Sequence, residues 1–470
     1  MPTVANLSRS VRFDADLIRR YDVSGPRYTS YPTAVHFHEG FDSQHYRAHV
    51  DMSNDELIPA PLSLYVHLPF CHSLCYYCGC NKKVTKSTSH GIAYLGRLSQ
   101  EIALQADLFD SDREVVQLHL GGGTPTYFDN QQLEQLMQNL RGGFPLDASD
   151  QREFSIEIDP RTVDLGRLQF LADLGFNRIS LGVQDTDSAV QQAVNRIQDP
   201  HSTLQMVEAA RQLGYRSVSI DLIYGLPKQT LESFADTLDR VIQARPDRLA
   251  VYNYAHLPHI FRSQRMIREE DLPSAETRLE LMGLTIEHLT AAGYIYIGMD
   301  HFALPEDELS RAQQAGHLHR NFQGYSTRSE CDLIGLGVSA IGKIGDCYAQ
   351  NRKDIASWSA ELDAGRIPIW RGLSLSPEDL LRQSLIDSIM CQGRLDFTDY
   401  GNRYNFDFND YFAREIHQLE QLAADGLIEL DEDGLRVTPV GRLLLRHVAM
   451  TFDQYLQGEA DPKRRFSKVI

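Results

Sequence analysis

Six short apolar runs alternating with amphipathic stretches predict an α/β fold, a barrel or partial barrel of βα units around a parallel sheet. Two further observations support it. Each run stops in polar or glycine-rich residues that a packed core would not choose, as strand ends at a barrel mouth do. Beyond roughly residue 370 the texture changes to helices without buried strands between them. The strands fall at 62–68, 115–120, 154–158, 178–183, 217–223 and 248–254, with helical periodicity around 91–108, 130–140, 164–174, 188–195, 203–213 and 230–243. A seventh apolar run, Tyr294–Gly298, extends the pattern, and Leu333–Gly342 reads as a buried strand and turn lying against the barrel.

Three regions follow: an N-terminal arm over 1–56, a barrel domain with its extension over 57–368, and a small, mostly helical domain over 369–470. The arm shows no long periodic segment. It carries Gly25-Pro-Arg27-Tyr28-Thr-Ser-Tyr31-Pro32-Thr-Ala34, an aromatic strip in which proline fixes the backbone twice, suited to packing or to covering a site. The last region opens at Ser376-Pro377, an N-cap followed by proline. A helix over 411–425, a hairpin around Asp431-Glu-Asp-Gly434 and a helix over 439–456 then give a winged-helix-like order. The acidic hairpin tip would repel phosphate, which favours a packing role.

Net charge is −18, so a duplex-binding face is not expected, and an anionic substrate would need local Arg and Lys. Arg262, Arg265 and Arg268, spaced three apart, form either such a cluster or a solvated helix face. No apolar run reaches the ~18 residues of a membrane span, and the charged first thirty residues do not read as a signal peptide, so a cytoplasmic protein is expected.

Four of the seven cysteines crowd into Cys71-His-Ser-Leu-Cys75-Tyr-Tyr-Cys78-Gly-Cys80, directly after the first strand. A structural zinc site would draw a second pair from elsewhere, and none follows. His67 and His72 could complete a site, but a scatter of surface histidines explains them as easily. A disulfide does not suit reduced surroundings. An iron–sulfur cluster held by three thiolates, with one iron left open, accounts for the spacing. With Tyr77 just before the third cysteine, the loop resembles that of the radical S-adenosylmethionine (SAM) enzymes. Cys331, Cys347 and Cys391 are isolated and read as ordinary buried or partly buried thiols.

The other strand ends ring the same mouth: Gly121-Gly-Gly-Thr124-Pro125, Glu157-Ile-Asp159, Gln184-Asp185, Asp221-Leu-Ile-Tyr224 and Tyr252-Asn-Tyr-Ala255-His256. Glycines there let backbone approach a ligand closely. Two later strips, Gly298-Met-Asp-His-Phe302 and Arg320-Asn-Phe-Gln-Gly-Tyr325, resist a purely structural account.

With these motifs, the Pro26–Ala34 strip and Cys78-Gly-Cys80-Asn-Lys82, the chain resembles the oxygen-independent coproporphyrinogen III oxidase family over nearly its whole length. The resemblance implies a partial (β/α)6 radical SAM barrel and one [4Fe–4S] cluster on Cys71, Cys75 and Cys78. It also implies two SAM molecules. Tyr65, Tyr77, Gly122, Glu157 and Ile341 would surround the first; Gly123, Thr124, Gln184, Arg196, Asp221 and Ala255, with Phe322 and Gln323, the second. Cys80, Tyr65 and Glu157 would take part in catalysis. By the same resemblance, electron transfer to SAM gives a 5′-deoxyadenosyl radical that abstracts hydrogen from a substrate propionate. Two such decarboxylations turn coproporphyrinogen III into protoporphyrinogen IX, with a one-electron donor such as a flavodoxin or ferredoxin system and an electron acceptor the sequence does not identify. A monomer without nucleic-acid or membrane partners is expected. Two rival readings are a haem chaperone of the same superfamily, whose members generally lack the fourth cysteine and the arm strip, and a cluster-carrying nucleic-acid regulator, which the charge opposes.

Overall fold

The computed structural model describes residues 11–458. The ends of the expected arm (1–10) and of the expected C-terminal domain (459–470) lie outside them. The chain forms two compact units, one of residues 37–274 and 330–375, the other of 1–36, 275–329 and 376–470.

The first unit holds the six expected strands: β1 Leu62–Leu68, β2 Val115–Gly122, β3 Glu153–Ile158, β4 Arg178–Gln184, β5 Ser217–Tyr224 and β6 Arg248–Asn253. Between them run α1 Thr88–Ala106, α2 Asn130–Gly143, α3 Leu165–Asp173, α4 Ser188–Ala193, α5 Pro200–Gln212 and α6 Leu231–Ala244. β1 to β6 pair in sequence order, all parallel. Alternation along the strands sets the two faces of this sheet. On β3, Phe154, Ile156 and Ile158 are buried while Glu153, Ser155 and Glu157 are half-exposed. On β5, Val218, Ile220 and Leu222 are buried against half-exposed Ser219 and Asp221. The apolar row carries the core, and the polar row leaves the other face available for chemistry.

The Leu333–Gly342 stretch joins this sheet instead of lying against it. β7 Asp332–Leu336 pairs parallel to β1, and β8 Ile341–Ile344, β9 Cys347–Asn351 and β10 Ile369–Ser374 continue antiparallel beyond it. Between residues 11 and 56, where no long periodic segment is expected, the chain forms one. Ser43–Asn54 is a helix, capped by Asp42 and His45 in a capping box and buried along Tyr46, Val50 and Ser53. One side chain per turn is its whole inner face, too thin a stripe to stand out as a pattern.

In the second unit the seventh apolar run becomes strand Ile295–Gly298, hairpinned with His301–Ala303. Ser376 and Asp379 form the capping box of helix Pro377–Gln392, which stops at Gly393 in a left-handed conformation (φ 66°). Helix Ala413–Ala424 and hairpin Ile428–Leu430/Gly434–Val437 stand near where they were expected, with Arg394–Asp396 as a third strand. The helix expected over 439–456 is broken into Gly441–Leu444, Leu445–Met450 and Gln454–Gly458. Bonds from Phe452 N to Ala449 O and from Asp453 N to Met450 O close the turn after the middle piece in 3₁₀ fashion. Within this unit the Pro26–Pro32 strip is core. Tyr28 donates to Asp453 (2.9 Å), Gln454 N donates to the Tyr31 hydroxyl (3.2 Å), and both rings are buried. Among the described residues no helix is long and apolar enough to cross a membrane.

A fully buried carboxylate ties α1 to the sheet extension. Glu101 accepts from Gly337 N (2.8 Å), Asn351 Nδ2 (2.6 Å) and Trp358 Nε1 (3.1 Å). Burial raises it from 4.5 to about 7, so the folded chain retains a proton that the unfolded chain releases. Its contribution is therefore full below pH 4.5 and is lost as pH rises through about 7. Glu101→Gln sets an amide N–H against these donors and should cost about 2 kcal/mol. In thermal unfolding from pH 4.5 to 8, the gap between native protein and variant should shrink as pH rises.

Candidate functional site

The loop from Cys71 to Cys80 has almost no regular structure and is held from outside. Its base is a two-residue parallel pair, Phe70–Cys71 with Lys83–Val84. Gly123 N donates to Leu68 O (2.9 Å) and Thr124 N to Phe70 O (2.8 Å), which joins the glycine run after β2 to the end of β1. Tyr76 N donates to Val194 O (3.0 Å), and Asn195 Nδ2 to Leu74 O (2.7 Å). Gln264 Nε2 bridges Tyr77 O and Ala255 O, while Ser263 and Lys82 donate to Cys78 O. The glycines are needed for close approach. A Cβ on Gly122 (φ 109°) would stand 2.5 Å from His67, and one on Gly123 would stand 2.8 Å from Phe70 N.

Donors from the strand ends aim at the thiols. Thr124 Oγ1 lies 3.4 Å from Cys71 Sγ. Arg196 Nη1 and Arg161 Nη2 lie 3.4 and 3.6 Å from Cys75 Sγ. Asp159 holds both guanidiniums, at 3.3 Å from Arg196 and 2.6 Å from Arg161; against burial, the Arg161 hydrogen bond and the two charges keep its carboxylate below the usual range. Burial pushes Cys71 up to about 11, whereas hydrogen bonding from the Cys80 thiol and the Lys82 charge hold Cys78 down at about 6.

Beside the loop, the polar row of the sheet climbs from strand to strand, in registers two residues apart. Tyr65 pairs with His119, His119 with Ser155, Glu157 with Ser180, and Gly182 with Asp221. Tyr65 stacks on His119 at 5.8 Å; His119 Nε2 is 3.1 Å from Glu157, which also accepts from Gly122 N. Those hydrogen bonds keep Glu157 below the usual carboxylate range although it is desolvated. Asp221 is raised to about 7 by burial and by the Glu157 charge. Two neighbouring carboxylates are thus driven to opposite states near neutrality.

His67 is no surface histidine. It is 6% exposed, with Nε2 3.0 Å from Asn81 O and Nδ1 3.0 Å from the Tyr65 hydroxyl. A carbonyl can only accept, so Nε2 carries the proton and Tyr65 donates to Nδ1; burial keeps the ring neutral. His72 is exposed and lies against Tyr127.

Of the residues expected to form the site, Tyr65, Gly122 and Glu157 meet through His119 and the Gly122 N–H, Asp221 accepts from Ser180 beside Glu157 (3.2 Å), and Arg196 reaches the same strands by donating to Gly182 O (2.6 Å). Ile341 adjoins this row through Gly335, which pairs with Tyr65 and whose Cβ would meet the Ile341 backbone at 2.8 Å. Gln184 ends β4 in a left-handed conformation (φ 68°), and Ala255 follows β6, exposed. Tyr77 packs against the cluster of Val190, Val194, Leu226, Tyr254 and Ile267. Phe322 and Gln323 belong to the other unit. His119 and Arg161 are not among the expected site residues, Asp159 is expected only as part of a strand end at the mouth, and His67 is read as a surface residue. The signal for the histidines was present, since Tyr65-x-His67 and Gln117-x-His119 repeat polar residues two apart on strands. Arg262, Arg265 and Arg268 do not share a helix face. Arg262–Met266 is one 3₁₀ turn, Arg265 is bonded to Pro258 O, and Arg268 pairs with Glu270 and Asp271.

Among the described residues no three His, Cys, Asp or Glu side chains stand close enough to hold a single ion. An iron–sulfur cluster takes each thiolate on a separate iron. The surroundings fit such a group, with N–H and O–H donors already directed at sulfur, and Arg196 Nε buried beside Cys75 without a hydrogen-bond partner.

The family model of the radical SAM superfamily matches residues 65–241, and that of the HemN C-terminal domain matches 375–444. The site and fold are those of a radical SAM protein. The chain is 52% identical to the oxygen-independent coproporphyrinogen III oxidase of Pseudomonas aeruginosa, covering 98% of this chain and 99% of that protein. It is 50% identical to the Escherichia coli protein of the same name over 98% and 99%. The solved structure of the Escherichia coli coproporphyrinogen III oxidase HemN, described as a radical SAM enzyme, superposes with a TM-score of 0.90 at 49% identity, covering 95% of this chain and all of that one. The chain belongs to the oxygen-independent coproporphyrinogen III oxidase family.

Replacing Cys71, Cys75 or Cys78 by Ser should abolish iron binding, because a hydroxyl is a poor substitute for thiolate. Cys80→Ser should retain iron and its visible absorbance; loss of iron there would contradict three-thiolate ligation. Arg161→Gln removes a donor to Cys75 Sγ, and an N–H aimed at sulfur favours the more electron-rich state. That variant should keep its iron and show a lower midpoint potential in an EPR-monitored redox titration.

Proposed function

We propose that this protein decarboxylates two propionates of coproporphyrinogen III to vinyl groups, giving protoporphyrinogen IX, and that SAM is the reagent consumed. For each propionate, one hydrogen atom leaves the β-carbon, the carboxylate leaves as CO2, and one electron passes to an acceptor. The observation that carries this reading is the thiol loop at the end of β1 beside the polar row of Tyr65, His119, Glu157 and Asp221, in a chain about half identical over its length to enzymes of that name. Cys71, Cys75 and Cys78 would hold a [4Fe–4S] cluster, which when bound supplies single electrons to SAM.

The remaining roles follow from what each side chain can do. Glu157, kept ionised by His119 and Gly122, is an acceptor for ribose hydroxyls or the ammonium end of one SAM, between Tyr65 and Ile341 and with Tyr77 as its aromatic wall. Asp221 and Arg196, flanking Gly182, offer opposite charges for the two ends of a second SAM, with Gly123, Thr124, Gln184 and Ala255 as neighbours. The His67 ring fixes the direction of the Tyr65 hydroxyl and ties it to the Asn81 carbonyl, just past Cys80.

Under anaerobic conditions, with coproporphyrinogen III, SAM, a one-electron reductant and an electron acceptor, the protein should form protoporphyrinogen IX, methionine and 5′-deoxyadenosine. Deoxyadenosine without porphyrin product would mean another substrate; tight haem binding with neither product would mean a chaperone. Glu157→Ala and Asp221→Ala should each lose one SAM equivalent in equilibrium dialysis while keeping iron. Two SAM still bound to both variants would refute these placements. Because Asp221 must ionise to meet a cation, SAM affinity should rise with pH through about 7 in the native protein and not in Asp221→Asn.

A further inference from the structure

The second unit gathers positive charge that the chemistry above does not use. Arg27, Arg320 and Arg446 converge on the backbone of the arm strip. Arg320 Nε donates to Arg27 O (3.3 Å), and Arg446 donates to Pro26 O (2.8 Å) and to Gly25 O. Asp300 meets the Arg27 guanidinium at 2.7 Å. The three cations act on one another. Arg446 is held down to about 9 by burial and by Arg27 and Arg320, and His301 down to about 4 by burial and by the same two arginines.

Arg320 is 4% exposed and stacks over the Tyr325 ring at 4.9 Å, yet its Nη1 has no hydrogen-bond partner. Gln323 Nε2, on the same β-hairpin, is also buried without one. A buried guanidinium N–H with nothing to accept it costs free energy that an incoming anion would recover. The surrounding backbone is held in demanding conformations, with Tyr28 (φ 46°), Met299 (φ 40°) and Asp300 (φ 72°) all left-handed. Non-glycine residues keep such angles only where their surroundings enforce them, and they concentrate at functional sites.

We propose that Arg320 and Arg27 form a carboxylate-binding site and that, on the function proposed above, its ligand is a propionate of the porphyrinogen. A carboxylate supplies the acceptor that Arg320 Nη1 lacks, and the planar guanidinium suits its two oxygens. In a chain of net charge −18, a tetracarboxylate needs such a local reversal of sign. Asp300, paired with Arg27, keeps the cluster from holding a full excess of cations in the absence of ligand.

The test uses the full-length, cluster-loaded protein and two probes, coproporphyrin III and its tetramethyl ester, with affinities measured by fluorescence quenching in the same detergent. Native protein should prefer the acid. Arg27→Gln and Arg320→Gln should each weaken the acid by roughly tenfold or more, leaving ester affinity and iron content unchanged. Arg320→Lys should recover part of the loss. Should Arg320→Gln unfold, Arg27→Gln decides, because that side chain is 39% exposed. Unchanged acid affinity in a folded Arg27→Gln overturns the site. If native protein forms protoporphyrinogen while the variants keep their affinity, the site fails and the function stands. If the variants lose the acid but native protein forms no vinyl product, the carboxylate site stands and the function fails.

Discussion

The thiol loop cannot hold its own shape, and the rest of the first unit is arranged to impose one. Ten residues anchored by one two-residue β pair would sample many conformations if left alone, and ordering each costs about 1–2 kcal/mol of backbone entropy. The cost is offset by bonds from every side, from the glycine run after β2, the Val194–Asn195 turn and Ser263–Gln264 after β6. The Asp159 carboxylate contributes by a less direct route. By fixing Arg161 and Arg196 it places two cationic donors at one sulfur, so the strand that carries Glu157, with Asp159 just past its end, also conditions the loop electrostatically.

Much of this was legible in the sequence because parallel strands repeat a simple signal. All six expected strands stand within a residue or two of where alternation and run length put them, and the stretches between them are helices. The loop was legible because four cysteines in ten residues have few explanations. Other features were not, each for a physical reason. Helix Ser43–Asn54 buries a single row of side chains, so its periodicity is faint. His67 is apolar in its surroundings but not in its composition, and only the carbonyl of Asn81 shows how a buried imidazole is satisfied. The break after Met450 depends on local turn bonds that no periodicity announces. Asp159 and Arg161 are two residues apart, while their meeting with Arg196 and Cys75 depends on the register of three strands and a loop.

The tyrosines of the arm strip show how one motif can serve two ends. Tyr28 and Tyr31 are buried and bonded to Asp453 and Gln454, so deleting the first 34 residues would remove core as well as any cover over a substrate. Point changes at Arg27, whose side chain reaches solvent, separate those contributions.

The placement of β7 also governs how the chain is made. Leu62 on β1 pairs with Asp332 on β7, and the residues between them include a long segment of the other unit. As the chain emerges from the ribosome, β1 can acquire β2 at once but must wait for its other neighbour until most of the protein has been synthesised. During that interval one edge of a parallel sheet stands open, the state most exposed to mispairing with other chains. Productive folding in the cell therefore depends on how quickly the late strand arrives, and on whatever shields the unfinished edge until it does.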